Sequence, residues 1–297
     1  MKQMRFRAAA KINLSLDVTG KRPDGYHTLE SIFQSVTVYD TIDLTAEDGE
    51  GIRLSCDVPG VPCDEHNLAW KAAEAFLAET GTQAKISITL HKEIPSGAGM
   101  GGGSADAAGV LWGLNELLGA GLTNEQLRAI GVKLGADVPF ILLGGTALAK
   151  GIGEELTPLR PVEDLRLIIV KGEEGVSTPA AYKAIDALEN PPHPDTASMC
   201  RAVETGDTAL LKKSCGNLFE AAIDCADVTR AKQRLLDCGA DCAVMTGSGA
   251  AVFGIFPEDM PEDAFAAAVR TLGAEFVFAR ACTTTDQPFL IMLGESE

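Results

Sequence analysis

The sequence contains no run of about 18 consecutive apolar residues, so nothing in it is long enough to span a bilayer. Its opening stretch, "MKQMRFRAAAKINLSL", lacks the continuous apolar centre of a secretory signal, and a cytoplasmic location is expected. Basic residues are scarce: 25 Lys and Arg stand against 42 Asp and Glu in 297 residues, a formal net charge of -17. A nucleic-acid polymer calls for a basic face and is not expected as a partner. An anionic small molecule would have to be met by local groups, not by the overall field. The eight cysteines include no C-x-x-C pair, and the nearest two, Cys238 and Cys242, have no His cluster beside them. Neither a zinc site nor a disulfide framework is indicated. Reduced thiols suit the expected compartment.

What the sequence does contain is a chain that is 46% hydrophobic and 23% charged, enough for one large domain or two ordinary ones. The first forty residues read as strands, punctuated by the turn cluster "GKRPDGYH". "LESIFQSVTVYDTIDLTA" reads as a further pair of strands. "HNLAWKAAEAFLAETG" has helical spacing closed by Gly81, and Ile86 to Leu90 alternate as a strand. Helices are expected over about 104–118 and from the capping box Thr123–Gln126 to near Gly135. "VPFILLGGTALAKG" reads as strand, turn, strand. Pro158 and Pro161 in "TPLRPVEDL" mark the expected domain boundary, giving units 1–157 and 158–297. Helices near 178–190, 200–213, 226–238 and 262–272 are interleaved with strands in the second half. The fold class expected is α+β in two layers, not a regular βαβ alternation.

The stretch "IPSGAGMGGGSADAAGVLWGLNELL" (residues 94–118) places Gly97, Gly99, Gly101, Gly102 and Gly103 between a strand and a helix. Such a junction presents unpaired N–H groups and the positive end of the helix dipole, an anion site whose usual occupant is phosphate. No Lys follows the glycines, so it is not a G-x-x-x-x-G-K-[ST] loop. "GAGMGG" does match G-x-G-x-x-G. However, the following stretch is helical and offers no strand ending in the acidic residue that a dinucleotide fold needs.

Four other features carry chemistry or structure. Asp137, in "LGADVPFIL", follows a helix end and is either a cap or a reactive carboxylate. Lys11, in the apolar "AAAKINLSL", either faces solvent from an edge strand or is buried against a carboxylate. Tyr26 and His27, side by side after a turn, suit a base or sugar, or a structural role. "TGSGAAVFG" (residues 246–254) is a second Gly-rich turn that either lines a ligand or merely joins two strands.

Together these segments resemble the GHMP kinase superfamily. "PSGAGMGGGSADAA" is similar to its ATP-binding motif and "MTGSGAAVFGIF" to its C-terminal Gly-rich motif. "AKINLSLDVTGKRPDGYHTLESIFQSV" and "LGADVPFILLGGTALAKGIGE" narrow the resemblance to the branch that phosphorylates diphosphocytidyl-methylerythritol in the non-mevalonate route to isoprenoids. The similarity runs over nearly the whole chain. It implies a ribosomal S5 domain 2-like first domain and a ferredoxin-like second one, with ATP and Mg2+ as cofactors and small molecules as partners. Lys11 and Asp137 match the catalytic pair. Pro95, Ser96, Gly97, Ala98, Gly99, Met100, Gly101, Gly102, Gly103, Ser104 and Ala105 match the triphosphate segment. Met100 stands where Leu is commoner, a volume-conserving change. Asn13, Tyr26, His27, Thr178 and Tyr182 match the substrate site, with Tyr26 and Tyr182 on the two faces of a cytosine. No Mg2+ ligand is assigned, Ser104 being a candidate, and no site residue is taken from 189–208. Kinases for homoserine, mevalonate or a sugar, and a catalytically silent binding protein, are the rival readings.

Overall fold

The computed structural model describes residues 1–292. Two long strands, β1 (Lys2–Lys21) and β2 (His27–Glu47), pair antiparallel along nearly their full length. The expected pair of strands after the turn is therefore one strand. Three register shifts, at Ala9/Ala10, Asn13/Ser15 and Val18/Gly20, let it bend without ending. β1 is buried almost continuously from Phe6 to Val18, which explains its weak alternation: both of its faces are covered. β3 (Gly51–Cys56), α1 (Leu68–Thr80) and β4 (Lys85–His91) follow, β4 pairing with both β2 and β3. α2 (Gly102–Leu118) then lies across β1, β2 and α1.

α3 (Asn124–Gly131) opens on the expected capping box, with both halves made, and stops short of Gly135. The apolar run after it is not a strand. α4 (Val138–Leu143) has Pro139 in its first turn, where a fixed φ suits a helix start, and it packs against α2 and α3. A short apolar run does not separate strand from buried helix by periodicity. β5 (Thr146–Lys150) and β6 (Glu155–Pro158) close the first half as a hairpin, β5 pairing with β2.

The second half carries β7 (Arg166–Lys171), α5 (Thr178–Ile185), α6 (Thr196–Thr205), α7 (Thr208–Ser214), the short β8 (Gly216–Asn217) and α8 (Ala226–Asp237). It ends with β9 (Cys242–Met245), β10 (Val252–Ile255), α9 (Glu262–Glu275), β11 (Phe278–Thr283) and β12 (Phe289–Ile291). The helix expected over 200–213 is two, because Gly206 turns left-handed and Asp207 caps a new start by accepting from the Leu210 N–H. Four strands form an antiparallel sheet in the order β11-β7-β10-β9. α8 and α9 bury Ala231, Leu235, Ala268 and Leu272 in the core beside it. β8 and β12 join the first sheet by pairing with β1, so the chain returns to its first strand twice. Among the described residues no helix is long and apolar enough to cross a membrane.

A buried ion cluster fixes both ends of the segment between β4 and α2. The Lys92 ammonium pairs with Asp40 of β2 and, at 2.5 Å, with Asp106 in the first turns of α2. Asp40 also accepts the N–H groups of Glu93 (2.7 Å) and Ile94 (2.8 Å). Two carboxyls on one ammonium leave an excess negative charge away from water. Burial, with the Asp40 charge adding, pushes Asp106 up to about 7 against the Lys92 attraction. Between 3.8 and about 7, Asp106 thus holds a proton in the folded protein that it releases in the unfolded chain. The associated stability is whole below the ordinary 3.8 and lost as pH rises toward about 7. Denaturant unfolding at intervals from about pH 4 to about pH 8 should show stability falling through this window, and Asp106→Asn should flatten that fall. An equal slope in both proteins would show that Asp106 is ionised throughout.

Candidate active site

The β4–α2 segment has a backbone geometry that suits an anion. Gly97, Gly99 and Gly101 have φ of 61°, 72° and 71°, alternating with Ala98 and Met100, whose side chains are buried in the core. This alternation of hands turns successive N–H groups toward a common concavity. Gly101 is the N-cap of α2 and makes no side-chain cap, so the first-turn amides stay free for a ligand. Ala98 and Met100 present only backbone to the cavity, since their side chains point inward, and the Ala105 N–H is already spent on the Gly101 carbonyl at 2.8 Å. A cavity of about 420 Å³ runs along the segment, lined by Pro95 to Gly103 with Asn67, Leu68 and Lys92.

The second Gly-rich turn packs directly on the first. Ala250 N and Ala251 N donate to the carbonyls of Gly97 and Ala98, each at 3.3 Å. A Cβ on Gly99 would lie 2.1 Å from the Thr246 carbonyl oxygen, so only glycine allows this approach. The 246–250 turn is neither a plain hairpin connection nor remote from the site. Gly247 and Ser248 also line the next cavity.

That central cavity, about 270 Å³, holds Lys11, Asn13, Ser104, Asp137, Thr178 and Tyr182. Lys11 is 4% exposed, which rules out the solvent-facing reading. Its ammonium lies 3.6 Å from Asp137 Oδ2, 3.0 Å from Asn13 Oδ1 and 4.8 Å from the centre of the Phe33 ring. A buried ammonium needs such company. Asp137 stands at the N-cap of α4, yet its side chain makes no cap hydrogen bond. Its carboxylate, about a third exposed, is left facing the cavity beside Lys11. Asn13 is fully buried and its amide is committed to protein groups.

A third cavity, about 560 Å³, adjoins the second and shares Ala136, Ile152, Thr178 and Tyr182 with it. Tyr26 and His27 enter from the β1–β2 turn, where Asp24 accepts the Tyr26 N–H at 3.1 Å. Tyr26 is 62% exposed at the rim. His27 is tucked beneath, its ring stacked on Tyr182 with centroids 4.6 Å apart and planes 14° apart. Burial, with the Asp137 charge adding, pushes the Tyr182 phenol up, so it remains a donor at neutral pH. Thr178 is hydrogen-bonded to Ser248 at 2.8 Å. The residues read from the sequence thus line three adjoining cavities, except Ala105, which is buried and lines none of them.

The family described as GHMP kinases N terminal domain matches residues 67–145, and GHMP kinases C terminal matches 199–275. The chain is 41% identical over 256 residues to a 4-diphosphocytidyl-2-C-methyl-D-erythritol kinase of Clostridium tetani, covering 86% of this chain and 91% of that one. The chain belongs to the GHMP kinases. A 4-diphosphocytidyl-2-C-methyl-D-erythritol kinase from a Geobacter species is 42% identical over 290 residues, covering 92% of this chain and all of its own. A crystal structure of 4-(cytidine 5'-diphospho)-2C-methyl-D-erythritol kinase superposes with a TM-score of 0.79 at 33% identity, over 95% of this chain and 99% of that one. A homoserine kinase from Cytophaga hutchinsonii shares the fold, with a TM-score of 0.76 at 20% identity. The two-domain GHMP kinase fold and a kinase that uses ATP follow from this membership.

Sequence reading missed Asp186 and the Lys92 cluster. Asp186 lies four residues after Tyr182, the spacing that puts two residues on one helix face, and it lines the third cavity. Lys92 and Asp40 are 52 residues apart and gave no local signal. The contact between the two Gly-rich turns is the most exposed to mutation. Gly99→Ala should cost at least ~1–3 kcal/mol in denaturant unfolding, from left-handed strain alone, and should raise KM for ATP. Unchanged stability would mean that the turns part without penalty.

Proposed function

We propose that this kinase transfers the γ-phosphoryl group of ATP to the 2-hydroxyl of 4-diphosphocytidyl-2-C-methyl-D-erythritol, giving the 2-phosphate and ADP in the non-mevalonate route to isoprenoid precursors. The observation that carries the reading is the order of the three compartments. An anion-binding segment lies on one side, the Lys11–Asp137 pair at the centre, and an aromatic pocket with Tyr26, His27 and Tyr182 on the other. A nucleotide donor and a nucleotide-bearing acceptor would meet head to head at the pair. The names of the relatives support the acceptor. Both substrates are small soluble molecules, which suits a cytoplasmic enzyme. A boundary near residue 157 is retained, with the two matched family regions on either side of it.

In this reading Pro95 to Ala105 hold the triphosphate, chiefly through backbone N–H groups. Asp137 accepts the proton of the acceptor hydroxyl as the phosphoryl group arrives. Lys11 offsets negative charge on the transferring group, a task that suits phosphoryl transfer, where positioning and charge stabilisation do most of the work. Asn13 holds Lys11, and Thr178 and Tyr182 wall the passage between pair and pocket. Mg2+ fits the donor chemistry, because the Ser104 hydroxyl, a hard oxygen ligand, lines the same cavity and the triphosphate would supply further oxygens. When bound there it would neutralise phosphate charge.

An ADP-release assay with ATP, Mg2+ and the cytidyl substrate, beside homoserine and mevalonate, tests the assignment. Turnover with the cytidyl substrate alone is expected, and turnover only with another acceptor would replace it. Asp137→Asn should lower kcat by ~10²–10⁴-fold, about 3–5 kcal/mol of barrier. A retained rate would remove the general base. Tyr26→Ala should raise KM for the cytidyl substrate far more than KM for ATP, and equal effects would count against the aromatic pocket.

A further inference from the structure

One nitrogen of the His27 ring is already committed. Nε2 lies 2.7 Å from Oδ1 of Asp186. An ionised carboxylate accepts hydrogen bonds and donates none. Asp186 is kept ionised, first by its hydrogen bond from the Lys21 ammonium and then by the His27 ring, which hold its carboxyl below the usual range. Nε2 therefore carries the proton. In the neutral ring Nδ1 is then an acceptor. Among the described residues no hydrogen-bond partner meets Nδ1, while His27 lines the third cavity.

The stacking of His27 on Tyr182 sets the orientation of that acceptor. A base hydrogen-bonded edge-on to Nδ1 lies in the plane of the imidazole. Because the imidazole is nearly parallel to Tyr182, the base is parallel to Tyr182 as well. Asp186 sits at the end of α5, four residues from Tyr182, so one helix supplies both the stacking face and the group that orients the histidine. Lys21, from the end of β1, holds the same carboxylate, which ties α5 to the β1–β2 turn that carries Tyr26.

We propose that Asp186 is a positioning residue that sets base specificity: by fixing the Nε2–H form of His27 it presents Nδ1 as an acceptor, so the pocket takes an amino-bearing pyrimidine and rejects a keto-bearing one. The inference rests on reading this cavity as the acceptor's base pocket. The exocyclic amino group of a cytosine donates to Nδ1. The corresponding oxygen of a uracil sets lone pair against lone pair, a mismatch that binding sites penalise heavily because both polar groups lose water without gaining a bond. Were Asp186 able to donate, the ring could take the other form and the preference would weaken.

Asp186→Asn provides that ability, since an amide can either accept from Nε2 or donate to it. Two measurements are made on the full chain. Nitrogen-15 NMR of the His27 ring without substrate reports which nitrogen is protonated. Steady-state kinetics compare the cytidyl substrate with its uridyl counterpart. The wild type should show Nε2–H and prefer the cytidyl substrate by on the order of 10²-fold or more in kcat/KM. The variant should show a mixture of ring forms and lose at least ~10-fold of that preference, with KM for ATP held within about twofold. A merely structural Asp186 would lower both acceptors alike. A wild type with Nδ1–H, or a variant that keeps the preference, overturns the inference while the kinase assignment stands. A wild type that turns over neither pyrimidine substrate removes the proposed acceptor, and this inference with it.

Discussion

The amide of Asn13 ties the buried lysine to both glycine-rich turns. Its Oδ1 accepts from Lys11 Nζ at 3.0 Å, from the Thr246 hydroxyl at 3.1 Å and from Gly247 N at 2.9 Å. Its Nδ2 donates to Ser31 Oγ at 2.8 Å, and its backbone N–H donates to Thr246 Oγ1 at 3.1 Å. Thr246 in turn reaches the Gly99 carbonyl at 3.3 Å. One fully buried side chain thereby sets the direction of the ammonium and the seating of the second turn on the first. A network of this kind rigidifies only when every member is satisfied, and here each polar atom of Asn13's amide has a partner. The register shift between Asn13 and Ser15 falls at this point, as bulges beside reactive sites commonly do.

The same region shows how a chain of net charge -17 can hold a polyphosphate. The lysine nearest the glycines in sequence, Lys92, is not free to grip phosphate, because Asp40 and Asp106 already claim it. It serves as a clamp instead. Asp40 pins the entry of the loop through the Glu93 and Ile94 amides, and Asp106 pins the start of α2. Between these fixed ends the backbone itself presents the positive groups. Lys11 lines the central cavity instead, where, in the proposed reaction, it would meet the charge that shifts during transfer. The burial cost of the clamp appears in the Asp106 carboxyl, pushed up to about 7.

What could be read from the sequence was local chemistry. The glycine-rich junction, the helix after it and the Thr123–Gln126 capping box are short-range patterns, and each occurs as local structure where it was read. Lys11 and Asp137 were legible as unusual residues in their settings, but their meeting joins residues 126 positions apart and came only through family resemblance. The run after Asp137 was misjudged, because six apolar residues fit a buried strand as well as a buried helix until their packing partners are known. Asn13 was placed with the substrate but not as a tie, since its partners lie 233 and 234 residues away. The second Gly-rich turn had no readable role until Gly99 was seen against Thr246. Failures of this type follow from contact distance in sequence, and they fall mostly where the two halves of the chain touch.

Tyr182 stands at the junction of recognition and chemistry. One face of its ring packs on His27 in the base pocket, and Phe219 meets it at 80° and fixes its angle. The same side chain walls the compartment of Lys11 and Asp137, close enough for the Asp137 charge to act on its phenol. In the proposed reaction a base settling on this ring would bear on the wall beside the reacting hydroxyl. Binding energy gathered far from the reacting atoms lowers a barrier only if it is converted into position at those atoms. In the proposed reaction α5 would be the element that makes that conversion, because Thr178, Tyr182 and Asp186 lie along it within three turns and meet, in order, the second Gly-rich turn, the pocket and the histidine.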